Sequence, residues 1–482
     1  MSPANQDSHS RYESPLVSRN ASEAMVRLWS PQTKFSTWRR IWLAIAESQK
    51  QLGLAISDEQ IQQMREHLED IDFAKAAEYE KRLRHDVMAH IHTFGEAAPA
   101  ARGIIHLGCT SATVGDNADL ILMREGLKLI RDWLVNVIDA LGRFALRYKD
   151  MPCLSYTHFQ PAQVTTVGKR ATLWCWDFVR DLHEVEHVID GMYFRGIKGT
   201  TGTQASFLDL FEQDATKVDK LEHLVAGKMG FEKIEPVTGQ TYSRKTDIQV
   251  VGVLAQIAVS AHKMCNDIRL LSGVGELSEP FESEQVGSSA MPYKRNPMRC
   301  ERATGLARFV ISLAMNPMMT AAEQWLERTL DDSANRRLSL PEAFLATDGI
   351  LKILANVSAG LTVWPEIVQA RLNQELPFMA SEAILMAAVK AGGDRQDLHE
   401  RIRKHSLAAM EQVKRLGRAN DFLQRLAGDS AFAAVKNLEE LVQPSRFVGL
   451  SPQQTERFVR EHVEPVRQRY GAKLGAKAEL SV

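Results

Sequence analysis

The chain has 482 residues, with 59 Lys plus Arg against 60 Asp plus Glu, a formal net charge of −1 and a charged fraction of 25%. That balance provides neither a polybasic face for nucleic acid nor an acidic tail, and the length suffices for one large assembly or roughly three ordinary domains. The five cysteines, Cys109, Cys153, Cys175, Cys265 and Cys300, are scattered and never form C-x-x-C, which argues against a disulfide framework or a zinc knuckle and fits reduced thiols.

The N-terminal stretch beginning MSPANQDSHSRYESP has no apolar centre of the signal-peptide kind, and no later run approaches 18 uninterrupted apolar residues. The expectation is a soluble, untargeted, cytoplasmic chain with no membrane partner. Trp38, Ile41, Trp42, Ile45 and Ala46 recur at helical spacing, and Gly53 closes that element. Ser57 and Gln60 form a capping-box start for the next helix, with Ile61, Met64 and Leu68 on one face. The segments near 117–148, 162–195, 243–275, 298–328 and 336–362 predict helices of about thirty residues, roughly 45 Å each. Alternating strand patterns are nearly absent, so the fold class is all-α. Rods of that length cannot bury their apolar stripes alone, which favours an elongated bundle over a globin-like ball.

Three helical domains are expected: 1–110, a central long-helix bundle over 111–363, and 364–482, the last opened by Trp364-Pro365-Glu366 with proline at the first helical position. No repeat of 20–50 residues is present, which disfavours a solenoid.

Four polar segments interrupt this helical text. "RLRHDVMAHIH" holds Arg84, His85, Asp86, His90 and His92, but its histidines are spaced by 5 and 2, not by the i, i+4 interval that presents two metal ligands on one helix face. Core or solvated histidines, or an anion-binding Arg-His-Asp triplet, remain open. "SYTHFQPAQ" places His158 just before Pro161, read as a helix-opening proline, and imidazole is the side chain that titrates near neutrality. "RGIKGTTGTQASF" is a Gly/Thr loop without P-loop order, so nucleotide hydrolysis is unsupported, although its backbone N–H groups suit a carboxylate or phosphate. "ERTLDDSANRR" reads either as a helix start capped by Thr329 or Asp332, or as an arginine cluster suited to phosphate.

The stretch "GSSAMPYKRNP", Gly287 to Pro297, resembles the G-S-S-x-M-P-x-K-x-N signature of the fumarase/aspartase superfamily of lyases. Together with "RLRHDVMAH", "GCTS", "THFQPAQ", "KGTTGTQASF", "TGQTYSRK" and "QWLERTLDDSANRR", in order and across nearly the whole chain, it resembles the adenylosuccinate lyase family, particularly its animal-type form. The resemblance implies β-elimination of fumarate from succinyl nucleotides, from adenylosuccinate to AMP and from SAICAR to AICAR. It implies no metal and no organic cofactor, and a homotetramer whose active sites are shared between subunits.

By the same resemblance Ser288 is the general base, His158 the general acid, His85 a second substrate-contacting histidine, and Lys294 a cation that helps Ser288 ionise. Thr110, Ser111, Gln240 and Asn296 match positions at or near the succinyl group. Arg19, Arg84, Asp86, Arg302, Arg328, Ser333 and Arg337 match nucleotide and phosphate positions, and Asn20 stands where the family usually has tyrosine. Two other readings use the same residues: a different superfamily substrate, such as argininosuccinate, fumarate or aspartate, or a catalytically silent helical scaffold. The arginine-rich segment favours a phosphorylated substrate over the first, and the retained Ser288, His158 and Lys294 favour catalysis over the second.

Overall fold

The structure is a computed structural model and describes residues 10–435 and 437–480. The first long helix, α1 (Pro31–Gln51), starts from the Ser30 side chain with proline in its first turn and ends just before Gly53, which takes φ +101°. At the next helix, Asp58–Glu66, the expected capping box is present: Ser57 Oγ accepts from Gln60 N at 3.1 Å and Gln60 Oε1 accepts from Ser57 N at 2.8 Å. Helix α2 (Asp86–Ala97) packs His90 against α1, stacked 3.6 Å from the Phe35 ring centroid.

Four rods build the bundle: α3 (Ser111–Arg147), α4 (Val167–Gly191), α5 (Lys245–Gly273) and, after the signature loop and α6 (Met298–Leu313), α7 (Asp331–Gly360). At 37 residues α3 is about 55 Å long. Helix α5 is long and apolar enough to cross a membrane by composition, but most of its apolar residues, Val250, Leu254, Ile257, Ala261, Met264 and Ile268 among them, are buried in the shared core, while Val259 and Leu270 are exposed. Helices α3 and α4 approach so closely that a Cβ at Gly168 would lie 2.3 Å from the Ala145 carbonyl oxygen, so only glycine fits there.

Three of the expected helices are revised. Residues 152–166 form a hairpin, β1 (Pro152–Thr157) with β2 (Gln160–Thr166), so the helix expected from 162 begins at Val167 and Pro161 lies in a strand. The 298–328 segment is two helices, α6 and Asn316–Ala322, with Pro317 in the first turn of the second, where a missing N–H costs no helical bond. Pro341 is tolerated inside α7, which begins at Asp331, five residues earlier than expected, with no side-chain cap from Thr329 or Asp332.

A second short pairing, β3 (Leu277–Ser278) with β4 (Thr362–Val363), ties the end of α5 to the end of α7. Helix α8 (Pro365–Met379) then opens with Trp364 as cap residue and Pro365 at its first position, as expected.

One large apolar cluster runs through the bundle from Leu16 to Val466. It includes Val459, Val463 and Val466, so the chain's last helices return to the bundle, where Arg467 Nε donates to Asp139 Oδ1 at 2.7 Å. A separate cluster from Ala380 to Phe432 serves the C-terminal helices, and a small third one joins Leu154 and Val164 of the hairpin to Leu372 and Leu376 of α8.

Burial, and secondarily the Arg39 charge, push the His90 pKa from 6.5 down to about 4. An unfolded histidine takes up its proton near pH 6.5 and this folded one only near 4, so its contribution to stability is full above pH 6.5 and fades as pH falls through that window. A His90→Phe variant is expected to lose less melting temperature than the parent between pH 6.5 and 4, measured by calorimetry; parallel pH profiles would contradict this.

Candidate active site

His85 caps the N-terminus of α2: its Nδ1 accepts from Met88 N at 3.3 Å, which places the ring proton on Nε2, and Nε2 lies 3.4 Å from Ser111 Oγ. Arg84, just before it, sits in the left-handed region at φ 55°, closing the helix Phe73–Leu83 and turning the chain into His85. Asp86 opens α2 and accepts from Arg337 Nη2 at 2.6 Å, which joins this segment to the first turns of α7. Thr110 caps α3 and Ser111 is its first residue, so His85, Ser111, Asp86 and Arg337 converge from three helix N-termini.

Gln240 is fixed on every side. Its N–H donates to Glu327 O at 2.9 Å, its side chain donates to Thr200 O at 3.1 Å, and its carbonyl accepts from Arg195 Nε at 2.8 Å. Arg195 is fully buried and also donates to Gly196 O at 3.2 Å and Gly199 O at 2.9 Å, so the Gly/Thr loop serves as the platform for Gln240.

Beneath these residues runs a buried ion chain. Arg244 Nε donates to Asp332 Oδ2 at 2.7 Å, and Arg244 Nη1 and Nη2 each donate to an Asp116 oxygen at 3.2 Å. Asp332 also accepts from Arg328 Nη1 at 3.2 Å, and Asp116 accepts from Tyr242 N at 3.0 Å. Arg336 is buried as well, donating to Asp247 Oδ2 at 2.7 Å and Asp119 Oδ2 at 2.9 Å. Burial works against the Asp116 carboxylate, but the charges of Arg244, Arg336 and Arg195 outweigh it and hold its pKa below the ordinary value. None of Asp116, Arg244 or Asp247 was singled out from the sequence. Asp332 was read there as a cap, and in fact it is the fully buried partner of two arginines.

Arg19 and Asn20 lie in the turn Leu16–Asn20, where Asn20 Nδ2 donates to Pro15 O at 2.6 Å and its Cβ packs near Gly349 of α7. Arg302 projects from α6 close to Arg19: burial, and after it the Arg19 charge, lower the Arg302 pKa.

The signature loop carries Ser288, whose hydroxyl oxygen accepts from Met291 N at 3.1 Å and Ala290 N at 3.4 Å. Asn296 Nδ2 donates back to Gly287 O at 2.9 Å. A Cβ at Gly287 would lie 2.1 Å from Lys294 O, so the loop can fold over on itself only with glycine there. Lys294 itself is exposed.

His158 stands at the tip of the β1–β2 hairpin, not at the end of a rod as its proline context suggested. His158 at φ 54° and Phe159 at φ 57° are the two central residues of a two-residue turn flanked by the Thr157–Gln160 pair. Among the described residues no hydrogen bond or ion pair links His158, Ser288 and His85 to one another. No group of three His, Cys, Asp or Glu side chains converges as metal ligands among the described residues.

A long-helix bundle with a Gly-Ser-Ser loop and helix-terminal His and Arg groups is the architecture of a fumarate-lyase-type enzyme. A fumarate lyase from Mesorhizobium sp. BNC1 superposes with a TM-score of 0.78 at 21% identity, covering 94% of this chain and 100% of that one. A 3-carboxy-cis,cis-muconate lactonizing enzyme from Pseudomonas putida superposes with a TM-score of 0.80 at 20% identity, over 95% and 99% of the two chains. These likenesses show the fold. The family described as Lyase matches residues 26–312, and the one described as Adenylosuccinate lyase C-terminus matches 377–458. Adenylosuccinate lyase of Saccharomyces cerevisiae is 53% identical over 94% of this chain and 95% of its own length, and that of Schistosoma mansoni is 45% identical over 99% and 100%. The chain belongs to the adenylosuccinate lyase family, a family of carbon–nitrogen lyases.

Because removing one member of a buried ion pair strands the other charge, Arg244→Met is expected to lower unfolding free energy by about 3–5 kcal/mol. Urea denaturation checks this, and a loss under about 1 kcal/mol would show that Asp116 and Asp332 do not depend on Arg244.

Proposed function

We propose that the chain cleaves the C–N bond of adenylosuccinate to fumarate and AMP, and that of SAICAR to fumarate and AICAR, with Ser288 as base and His158 as acid. The observation that carries the assignment of the base is the seating of Ser288 Oγ on two backbone N–H groups of its own loop. A neutral hydroxyl is a poor base, and donors aimed at its oxygen stabilise the alkoxide that is able to act. The exposed Lys294, six residues on in the same loop, supplies positive charge once substrate is bound.

Ser288 removes the proton from the methylene carbon beside a succinyl carboxylate. The electron pair left behind forms the carbon–carbon double bond of fumarate as the C–N bond breaks. The departing nitrogen takes a proton from His158. Thr110, Ser111, Gln240 and Asn296 hold the succinyl carboxylates, with His85 donating from Nε2 beside them.

Arg19 and Arg302 bind the phosphate. Arg84, Asp86, Arg328, Ser333 and Arg337 hold the nucleotide, and Asn20 orders the Arg19 turn through its own backbone bond where the family's tyrosine would offer a phenol. Membership of the adenylosuccinate lyase family supports a homotetramer in which neighbouring subunits complete each site. The enzyme works as a soluble protein of the cytoplasm.

Ser288→Ala and His158→Ala are each expected to cut kcat for fumarate release from adenylosuccinate at least about a hundredfold, the scale of a positioned acid or base. Near-parental turnover in either variant removes that residue from its role. Arg302→Gln is expected to raise KM for adenylosuccinate about tenfold or more, as for a lost charge-assisted bond, with a smaller effect on kcat. Turnover of argininosuccinate in place of both succinyl nucleotides would overturn the substrate assignment.

A further inference from the structure

The signature loop leaves the bundle at β3 and re-enters it at α6, and two buried side chains meet at that mouth. Glu279 follows β3 directly and is 6% exposed. Its Oε1 accepts from Arg299 N at 2.9 Å and its Oε2 from Cys300 N at 3.0 Å. Helix α6 has no side-chain cap of its own at Pro297, so a carboxylate twenty residues away satisfies its first donors and favours its positive end.

Arg299, 7% exposed, reaches back across the same mouth. Its Nη2 donates to Glu282 Oε1 at 2.6 Å and to Gln285 Oε1 at 3.4 Å on the incoming arm, while its Nη1 donates to Asn356 Oδ1 at 2.7 Å on α7.

A second closure lies further out, where Asn296 Nδ2 bonds Gly287 O at 2.9 Å. Beyond it the bonds within the tip are local, Met291 N to Ser288 Oγ at 3.1 Å and Lys294 N to Met291 O at 3.0 Å. A cavity of about 110 Å³, lined by Glu279, Phe281, Arg295 and Trp364 among others, lies at the loop's base, where these bonds tie the two arms together. The placement of Ser288 therefore depends on the bonds that Glu279 and Arg299 make at the loop's mouth.

We propose that Glu279 and Arg299 are positioning residues for catalysis: they touch no substrate, and they set where the loop carries Ser288 by locking both of its stems to the start of α6. The proposal rests on the reading of Ser288 as base. A misplacement of about 1 Å at a reacting group is enough to lower the rate about a hundredfold, so a loosened stem acts on kcat before it acts on binding. Glu279→Gln keeps one acceptor oxygen but turns an N–H₂ donor toward the second backbone N–H, which breaks half of the clamp at nearly constant volume. Arg299→Lys keeps the charge but cannot bridge Glu282 and Asn356 with a planar fork.

The test compares the full-length parent with Glu279→Gln, Arg299→Lys and Ser288→Ala, reading kcat and KM for fumarate release from adenylosuccinate, urea midpoints, and amide hydrogen exchange over 281–297 and over α3. The two clamp variants are expected to lose at least about tenfold in kcat with KM within about threefold of the parent. They are also expected to exchange faster across 287–297 while α3 exchanges as in the parent. Unchanged loop exchange, parental kcat despite faster loop exchange, or a kcat loss no greater than the loss of folded protein would each overturn the proposal. Ser288→Ala separates the two claims: if it retains turnover, the base assignment falls and the proposal with it, whereas an inactive Ser288→Ala beside fully active clamp variants overturns the clamp alone. Should Glu279→Gln fail to fold, Arg299→Lys carries the same outcomes.

Discussion

The Asp116–Arg244–Asp332 ion chain is the constraint on which the rest of the site depends. Arg244 and Asp332 have side chains 1% and 0% exposed, so none of these charges is tolerable without its partners. Their geometry therefore fixes three parts of the backbone together: the first turns of α3 through Asp116, the chain entering α5 through Arg244 and Tyr242, and the start of α7 through Asp332. Thr110, Ser111, Gln240, Arg328, Ser333 and Arg337 all stand on those three parts. A salt bridge of this kind adds little net stability compared with an apolar core, but it fixes relative position, which a site assembled from separate helices requires.

A second principle governs the loop and the hairpin. The group assigned as base is carried on a short turn whose own backbone N–H groups solvate its oxygen, and the group assigned as acid is carried on a two-residue hairpin turn. Both are tips, and both are set by stems anchored in rigid elements: the hairpin through Leu154 and Val164 against α8, the loop through β3 and α6. The groups assigned as base and acid thus stand on loop tips with anchored supports, the usual division between loop and scaffold.

Much of the fold was legible because helix signals are local. The Ser57–Gln60 box, the Gly53 stop and the Trp364-Pro365 start are each decided by residues a few positions apart, and each stands as read. The hairpin was missed because its turn is His-Phe, without the Asn-Gly or Asp-Gly that marks such turns, and because Pro161 reads as a helix opener when it is a strand residue. Pro341 stands inside the helix expected over 336–362, and tertiary packing keeps α7 continuous through a residue that propensity alone would make a break.

Around the candidate site, the motifs name residues but not what each one pairs with. Arg336 and Arg337 are neighbours in sequence, yet one is buried as a structural charge and the other is exposed beside Asp86. Only long-range pairing, across 217 residues from Arg336 to Asp119 and 251 from Arg337 to Asp86, separates them. The central claim is that one catalytic centre is completed by different copies of this chain, and mixing inactive Ser288→Ala and His158→Ala proteins under conditions of verified subunit exchange tests it most directly. Recovered fumarate release from adenylosuccinate is the predicted result; mixed oligomers that stay as inactive as either variant alone would contradict it.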